Sequence, residues 1–186
     1  MVGRDGAIRK GREMEQGLVQ LYTGDGKGKT TAAVGLAMRA IGKDLNVLMV
    51  QFLKGRHYGE IETARRLSDR FKIIQSGLDE FVKRGEPSPE DLRLAHQGLE
   101  IAREAIMSGG YDMVILDEIN VAVDLGVLAV EEVLPLIDDR PPGVELVLTG
   151  RDAPGEFLER ADLVTEMKKI RHYYDKGVKM REGIEY

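Results

Sequence analysis

The sequence predicts an α/β fold, a mostly parallel sheet flanked by helices. Three observations carry that expectation. Strand-length runs recur that are apolar throughout instead of alternating, as strands buried on both faces require. Helix-length segments with amphipathic or capped patterns separate them, which is the arrangement that covers a parallel sheet on both sides. A glycine-rich stretch, TGDGKGKTT (23–31), lies at the first strand-to-helix junction.

In chain order, GLVQLY (17–22) reads as a buried strand and KTTAAVGLAMRAIG (29–42) as a helix. NVLMVQFL (46–53) is a second apolar strand, GEIETARRLS (59–68) a charged amphipathic helix, and FKIIQ (71–75) a short strand. An irregular piece, SGLDEFVKRGEPSPED, follows it. Ser88 then serves as an N-cap, with Pro89 at the first helical position and Asp91 three residues after the cap. That helix should run to Ser108 and stop at Gly109-Gly110. YDMVILDE (111–118) is a third uniform apolar run, and VEEVLPLI (130–137) a helix. VELVLTG (144–150), a short helix near GEFLERA (155–161), and LVTEMKKIRH (163–172) complete the series.

The 186 residues are 42% hydrophobic and 32% charged, ordinary for one globular domain. A chain of this length buries roughly 70% of its unfolded surface on folding, so it needs no disulfide or metal staple. It has no cysteine, which removes thiolate nucleophiles, thiolate metal sites and disulfides and suits a cytoplasmic location. The formal charge of -5 argues against a surface built to hold a nucleic-acid backbone. Residues 1–16 carry Arg4, Arg9, Lys10 and Arg12 beside Asp5, Glu13 and Glu15, with no apolar stretch. They read as a flexible arm rather than a signal peptide or membrane span, leaving 17–186 as a single domain.

Open parallel sheets bind ligands outside the carboxyl ends of their strands, where the glycine stretch and Asp117-Glu118 both fall. Gly24, Gly26 and Gly28 give the backbone the freedom to turn its N–H groups inward around an anion. The following helix adds unpaired N–H groups and a positive dipole end. Lys29 is a mobile charge for phosphate oxygens, and the Thr30 hydroxyl suits Mg²⁺. The usual pattern, G-x-x-x-x-G-K-[ST], has a glycine where this chain has Thr23. That alters the entry to the loop and spares its phosphate-facing half. The competing reading is a strand-to-helix turn that merely favours glycine. The run MVILDE brings Asp117 and Glu118 to a strand end, where a carboxylate can hold Mg²⁺ directly or through water. Two solvated acids after a strand are the alternative.

Such a loop ordinarily serves attack on the γ-phosphate, as in an ATPase or kinase, and these residues do not exclude it. A non-catalytic nucleotide-binding regulator is a further reading. The chain nevertheless offers no convincing general base. His96 lies mid-helix as a surface or packing residue, and His57 and His172 follow strand ends, where either can touch a ligand.

TGDGKGKTTAA together with VQFLKG, GEPSPED, VILDEIN, LTGRDAPGEFLERADLVTEM and RHYYDKGVKMREGIEY resembles the phosphate-loop type of ATP:corrinoid adenosyltransferase, over about 17–186. Thr23 at the glycine position is itself a mark of that family. The resemblance implies a RecA-like fold, a homodimer, a reductase partner, and ATP and a reduced corrinoid as substrates with Mg²⁺. Cobalt(I) attacks C5′ of ATP, an adenosyl–cobalt bond forms and triphosphate leaves. The nucleotide then lies reversed relative to hydrolases, with the ribose carbon presented to the corrinoid. Carried over by position, the ATP-binding set is Gly24, Asp25, Gly26, Lys27, Gly28, Lys29, Thr30 and Thr31, with Arg151 of LTGR. Lys29, Thr30 and Glu118 are the catalytic set, and Thr30, Glu118 and Asp117 the metal set. Lys27 and Arg151 have plain surface roles as alternatives.

Cobalt(I) carries no proton to remove, so a base-poor site suits this reaction, which rests on positioning and charge neutralisation. The family pushes away the corrinoid's lower axial ligand with aromatic side chains, often tryptophan, in the segment before GEPSPED. This chain has no tryptophan and offers Phe81 there, with Leu78 beside it. Phe81, Leu78 and His172 are the corrinoid-binding candidates, with simple packing as the alternative for Phe81. In similar proteins an N-terminal segment folds over the site, which makes the arm a candidate lid.

Overall fold

The computed structural model describes residues 14–186. Most of the predicted arm, and with it the lid, lies outside the described residues. The apolar runs form β1 (Val19–Thr23), β2 (Val47–Phe52), β3 (Phe71–Ser76), β4 (Met113–Asp117) and β5 (Glu145–Thr149), followed by β6 (Leu163–Glu166). Between and after them come α1 (Lys29–Ile41), α2 (Gly59–Leu67), α3 (Pro89–Met107), α4 (Ile119–Asp124), α5 (Val130–Asp138) and α6 (Gly155–Arg160). Among the described residues the strands make one sheet, ordered β3-β2-β4-β5-β1-β6, with every pairing parallel.

Uniformly apolar strands suit a sheet covered twice. Val47, Met49, Met113, Ile115 and Val147 face one side, against Ala33, Ala37 and Ala40 of α1 and Ala64 of α2. Their neighbours Leu48, Val50, Phe52, Val114, Leu116, Leu146 and Leu148 face the other, in a cluster with α3, α4, α5 and Phe157 of α6. Small residues let the helices approach closely. A Cβ on Gly98 of α3 would stand 2.3 Å from Ser76 Oγ, so any larger residue would push helix and sheet apart.

The predicted cap of α3 is present in full. Ser88 Oγ accepts the Asp91 N–H at 3.1 Å, and the Asp91 carboxylate accepts the Ser88 N–H at 2.9 Å. The helix stops before Gly109, whose φ of +67° is cheap only for glycine.

Two elements differ from expectation. INVAVD forms α4, although its β-branched residues weaken helix propensity. Glu118, at φ +62°, ends β4 and turns the chain directly into that helix. LVTEMKKIRH yields only the four exposed residues of the edge strand β6, followed by irregular chain and a 3₁₀ turn at Tyr173–Lys176. Because all strands run the same way, their carboxyl ends share one edge of the sheet. Register sets Gln51 beside Asp117 there, and Tyr22 beside Thr149.

Candidate active site

The loop leaves β1 at Thr23 and enters α1 at Lys29. Gly24 and Gly28 have φ of +95° and +124°, where side-chain-bearing residues are strained. The chain beyond β6 lies against the loop: Met167 N–H donates to the Thr23 carbonyl at 2.8 Å, and Gly26 N–H to the Met167 carbonyl at 2.6 Å. A Cβ on Gly26 would be 2.5 Å from that carbonyl oxygen. Close backbone approach at Gly24 and Gly26 is therefore made by Met167 of the same chain.

Lys29 is buried, its ammonium donating to the carbonyls of Gly24 at 2.5 Å and Gly26 at 2.9 Å. Burial lowers its pKa, opposed by the charges of Glu118, Asp25 and Asp117 and reinforced by Arg151. Thr30 Oγ1 donates to Asp117 Oδ1 at 2.9 Å. Asp117 is fully buried and accepts three further donors: Thr149 Oγ1 at 2.7 Å, Lys54 Nζ at 2.7 Å and Gln51 Nε2 at 3.3 Å. Burial penalises the Lys54 ammonium, but the Asp117 charge and hydrogen bond, with Glu118 and Glu60, leave its pKa raised.

Glu118 donates its N–H to Thr149 Oγ1 at 3.0 Å. Its carboxyl pKa is raised by burial first and by the neighbouring Asp117 charge second, against the pull of Lys54, Lys29 and Arg151. Asn120 is fully buried and donates to the Gly150 carbonyl at 2.9 Å, tying α4 to the turn that precedes Arg151.

The structure thus brings Lys29, Thr30, Asp117 and Glu118 together, with Arg151 within electrostatic reach. Asp25 and Thr31 are exposed on the loop and on the first turn of α1. Lys27 points toward the carboxyl terminus, donating to the Ile184 carbonyl at 3.2 Å and standing 3.8 Å from Glu185. His172 and Lys27 line a cleft of about 230 Å³ with Gly26, Lys168, Lys169 and Arg171. Phe81 is 97% exposed, and Leu78 half-buried, on the loop after β3. That loop begins beside Lys54, since a Cβ on Gly77 would meet the Lys54 backbone N at 2.5 Å. His57 is exposed, and His96 bridges the Leu92 carbonyl and Glu132 away from the strand ends.

Sequence reasoning missed Lys54, Gln51, Thr149 and Asn120. For Gln51 and Thr149 a signal existed: each is a polar residue at the carboxyl end of an otherwise apolar strand.

The donor set fits a divalent ion carried in by a nucleotide and not a resident metal cage. Among the described residues no three His, Asp or Glu side chains are grouped so that they could hold a metal ion by themselves. Thr30, with Glu118 or Asp117, could supply two or three oxygens, which would suit Mg²⁺ that keeps waters and substrate phosphates as its other ligands.

A model of the family described as ATP:corrinoid adenosyltransferase BtuR/CobO/CobP matches residues 15–186. The chain belongs to the ATP:corrinoid adenosyltransferase family. Among that family's named members it is 35% identical to the corrinoid adenosyltransferase of Escherichia coli K12, over 92% of this chain and 87% of that protein. It is 34% identical to the corrinoid adenosyltransferase CobA of Salmonella typhimurium, over 98% of this chain and 91% of that one. An uncharacterized Nostoc protein is 39% identical over 84% of this chain, which spans only 45% of that protein's length. Members of the adenosyltransferase family are transferases, and the parallel sheet with its glycine loop agrees with the RecA-like fold that the sequence implied. Among the described residues no helix is long and apolar enough to cross a membrane.

Proposed function

We propose that this chain transfers the 5′-deoxyadenosyl group of ATP to the cobalt(I) of a reduced corrinoid, with the triphosphate held in the glycine loop. The electron pair on cobalt forms the bond to C5′, and the C5′–O bond breaks with its electrons going to the leaving triphosphate. Cobalt ends two electrons more oxidised, and no proton moves at the reacting centre.

The observation that carries this reading is the make-up of the strand ends. They gather Lys29, Lys54, Arg151 and the Thr30 hydroxyl around Asp117 and Glu118, and among the described residues no histidine hydrogen-bonds into that network. Cations and oriented donors suit charge that develops on a departing polyphosphate, whereas a base has no work to do. Lys29 and the amides of the Gly24-to-Thr31 stretch would grip the phosphates, except that of Gly26, which was expected to turn toward an anion and is instead taken by the Met167 carbonyl. Thr30 and Glu118, with Asp117 beside them, would hold Mg²⁺, whose charge offsets that of the leaving group; Asp117 also accepts the Thr30 hydroxyl hydrogen bond. Arg151 and Lys27 would complete the anionic subsite. Phe81 and Leu78 on one rim and His172 on the other would meet the corrinoid. The exposure of Phe81 supports a ligand-facing role over packing.

A homodimer, a cytoplasmic location and a reductase that supplies cobalt(I) belong to the same proposal. The exposed Leu163 and Val164 of the edge strand β6 support self-association. The test combines protein, ATP, Mg²⁺ and chemically reduced cobalamin. Light-sensitive adenosylated product with triphosphate is expected. ADP and phosphate without an alkyl-cobalt chromophore would refute it.

A further inference from the structure

We propose that Lys54 is a built-in cation, seated between the Thr30 hydroxyl and the Asp117 carboxylate, that keeps a divalent ion off both until nucleotide phosphate brings the ion in. The inference rests on reading the loop as a Mg²⁺–nucleotide site and adds a positioning residue to it.

Geometry is the first argument. Lys54 Nζ lies 2.7 Å from Asp117 Oδ2 and 3.4 Å from Thr30 Oγ1. A loop Ser/Thr and a strand-end Asp are the side chains that hold the ion in phosphate-loop proteins. Here an ammonium already sits against both. The Thr30 proton is committed to Asp117 Oδ1, so what Thr30 presents to Lys54 is its lone pairs, the same electrons a metal would use. The pair is nearly dry, with 12% of the Lys54 side chain and none of Asp117 exposed.

The second argument is that the backbone is shaped to deliver this lysine. Leu53, immediately before it, has φ +57°. That left-handed conformation is strained for a non-glycine residue, and the surroundings must offset the strain. Gly77 packs against the Lys54 backbone, where a Cβ would come within 2.5 Å of its N, and a Cβ on Gly55 would come within 2.7 Å of the Gly77 carbonyl oxygen. The Tyr58 ring lies 5.0 Å from the ammonium, and Gln51 ties Glu60 to Asp117 beneath it. A solvated lysine after a strand would need none of this.

Neutralised by Lys54, Asp117 has little to offer a free divalent ion, which parts with its waters reluctantly. An ion arriving on phosphate oxygens is already partly dehydrated. The flexible stem of Lys54 then lets its charge move from carboxylate to phosphate as the ion enters.

The test titrates the full, nucleotide-free chain with Mn²⁺, read by electron paramagnetic resonance. Lys54→Met should bind Mn²⁺ about tenfold or more tighter than the native protein, Lys54→Arg should not, and Lys54→Met/Asp117→Asn should lose the gain. Equal affinity in the native chain and Lys54→Met, or a gain that survives the second substitution, would overturn the proposal. Lys54→Met strands a buried carboxylate and can fail to fold, so the native protein supplies a second measurement. With ¹⁵N-labelled lysine, the Lys54 ammonium resonance should ignore Mg²⁺ alone and shift when Mg²⁺ and ATP are added together. A shift with Mg²⁺ alone, or none with both, contradicts the proposal. Neither measurement uses a corrinoid or turnover, so its outcome is separable from that of the adenosylation assay.

Discussion

Lys29 donates to two carbonyls of its own loop, and Asp117 accepts four donors, so at the scale of single residues the site is held ready by hydrogen bonds within the chain. Lys29→Ala removes the charge proposed to stand nearest the leaving polyphosphate. Turnover should fall by about 10²–10³-fold or more, with unchanged circular dichroism, in an adenosylation assay. Phe81 separates stability from function. Being 97% exposed, its replacement by alanine should move thermal stability by no more than about 0.5 kcal/mol. The same variant should impair complete cobalamins more than corrinoids lacking the lower ligand, and equal losses on both would remove the wedge role. Lys29, Thr30 and Glu118 were legible because the loop motif and the apolar run before Glu118 are local patterns. Lys54 was not, since its partner Asp117 lies 63 residues away. The pairing follows from β2 and β4 being neighbours in the sheet, which no local pattern encodes. Gly24 and Gly26 were legible as glycine positions, but the neighbour that demands them, Met167, arrives only through tertiary packing.

At the scale of elements, strands and long helices followed the apolar pattern and the Ser88 cap closely. The irregular end of the chain did not, because its residues pack on a loop instead of into a repeating ladder. The helix α4 was hidden for another reason: its valines and isoleucine favour strand, and burial against β5 overrides them. The helix α6 has only six residues and is anchored by the fully buried Phe157. Phe157→Ala should cost about 3–5 kcal/mol in denaturant unfolding. Between α3 and α5, His96 Nδ1 meets the Leu92 carbonyl at 2.6 Å and Nε2 meets Glu132 at 2.9 Å, an arrangement in which both nitrogens donate. The Leu92 carbonyl raises its pKa most; desolvation opposes the rise, and the Glu132 hydrogen bond and charge add to it. A folded-state pKa above the unfolded one stabilises fully below the unfolded value, about 6.5, and fades as pH rises through the folded value. His96→Gln should therefore destabilise the protein more near pH 5.5 than near pH 8.5, in paired melts. An equal loss at both would mean that the imidazolium contributes nothing.

At the scale of the whole molecule, an all-parallel sheet sends every strand end to one edge, and the last segments of the chain return to it. Lys27 holds the Ile184 carbonyl, Arg56 lies over the Tyr186 ring at 5.9 Å, and Met167 backs the loop. The proposed corrinoid opening lies between the loop after β3 and the carboxyl-terminal segment, both of which reach this edge. Adenosyl transfer requires the ribose carbon, not the terminal phosphate, to look out of that opening. A crystal structure with ATP and Mg²⁺ tests this directly. The account predicts triphosphate wrapped by the glycine loop with C5′ facing the space between Phe81 and His172; a γ-phosphate facing that space would contradict it.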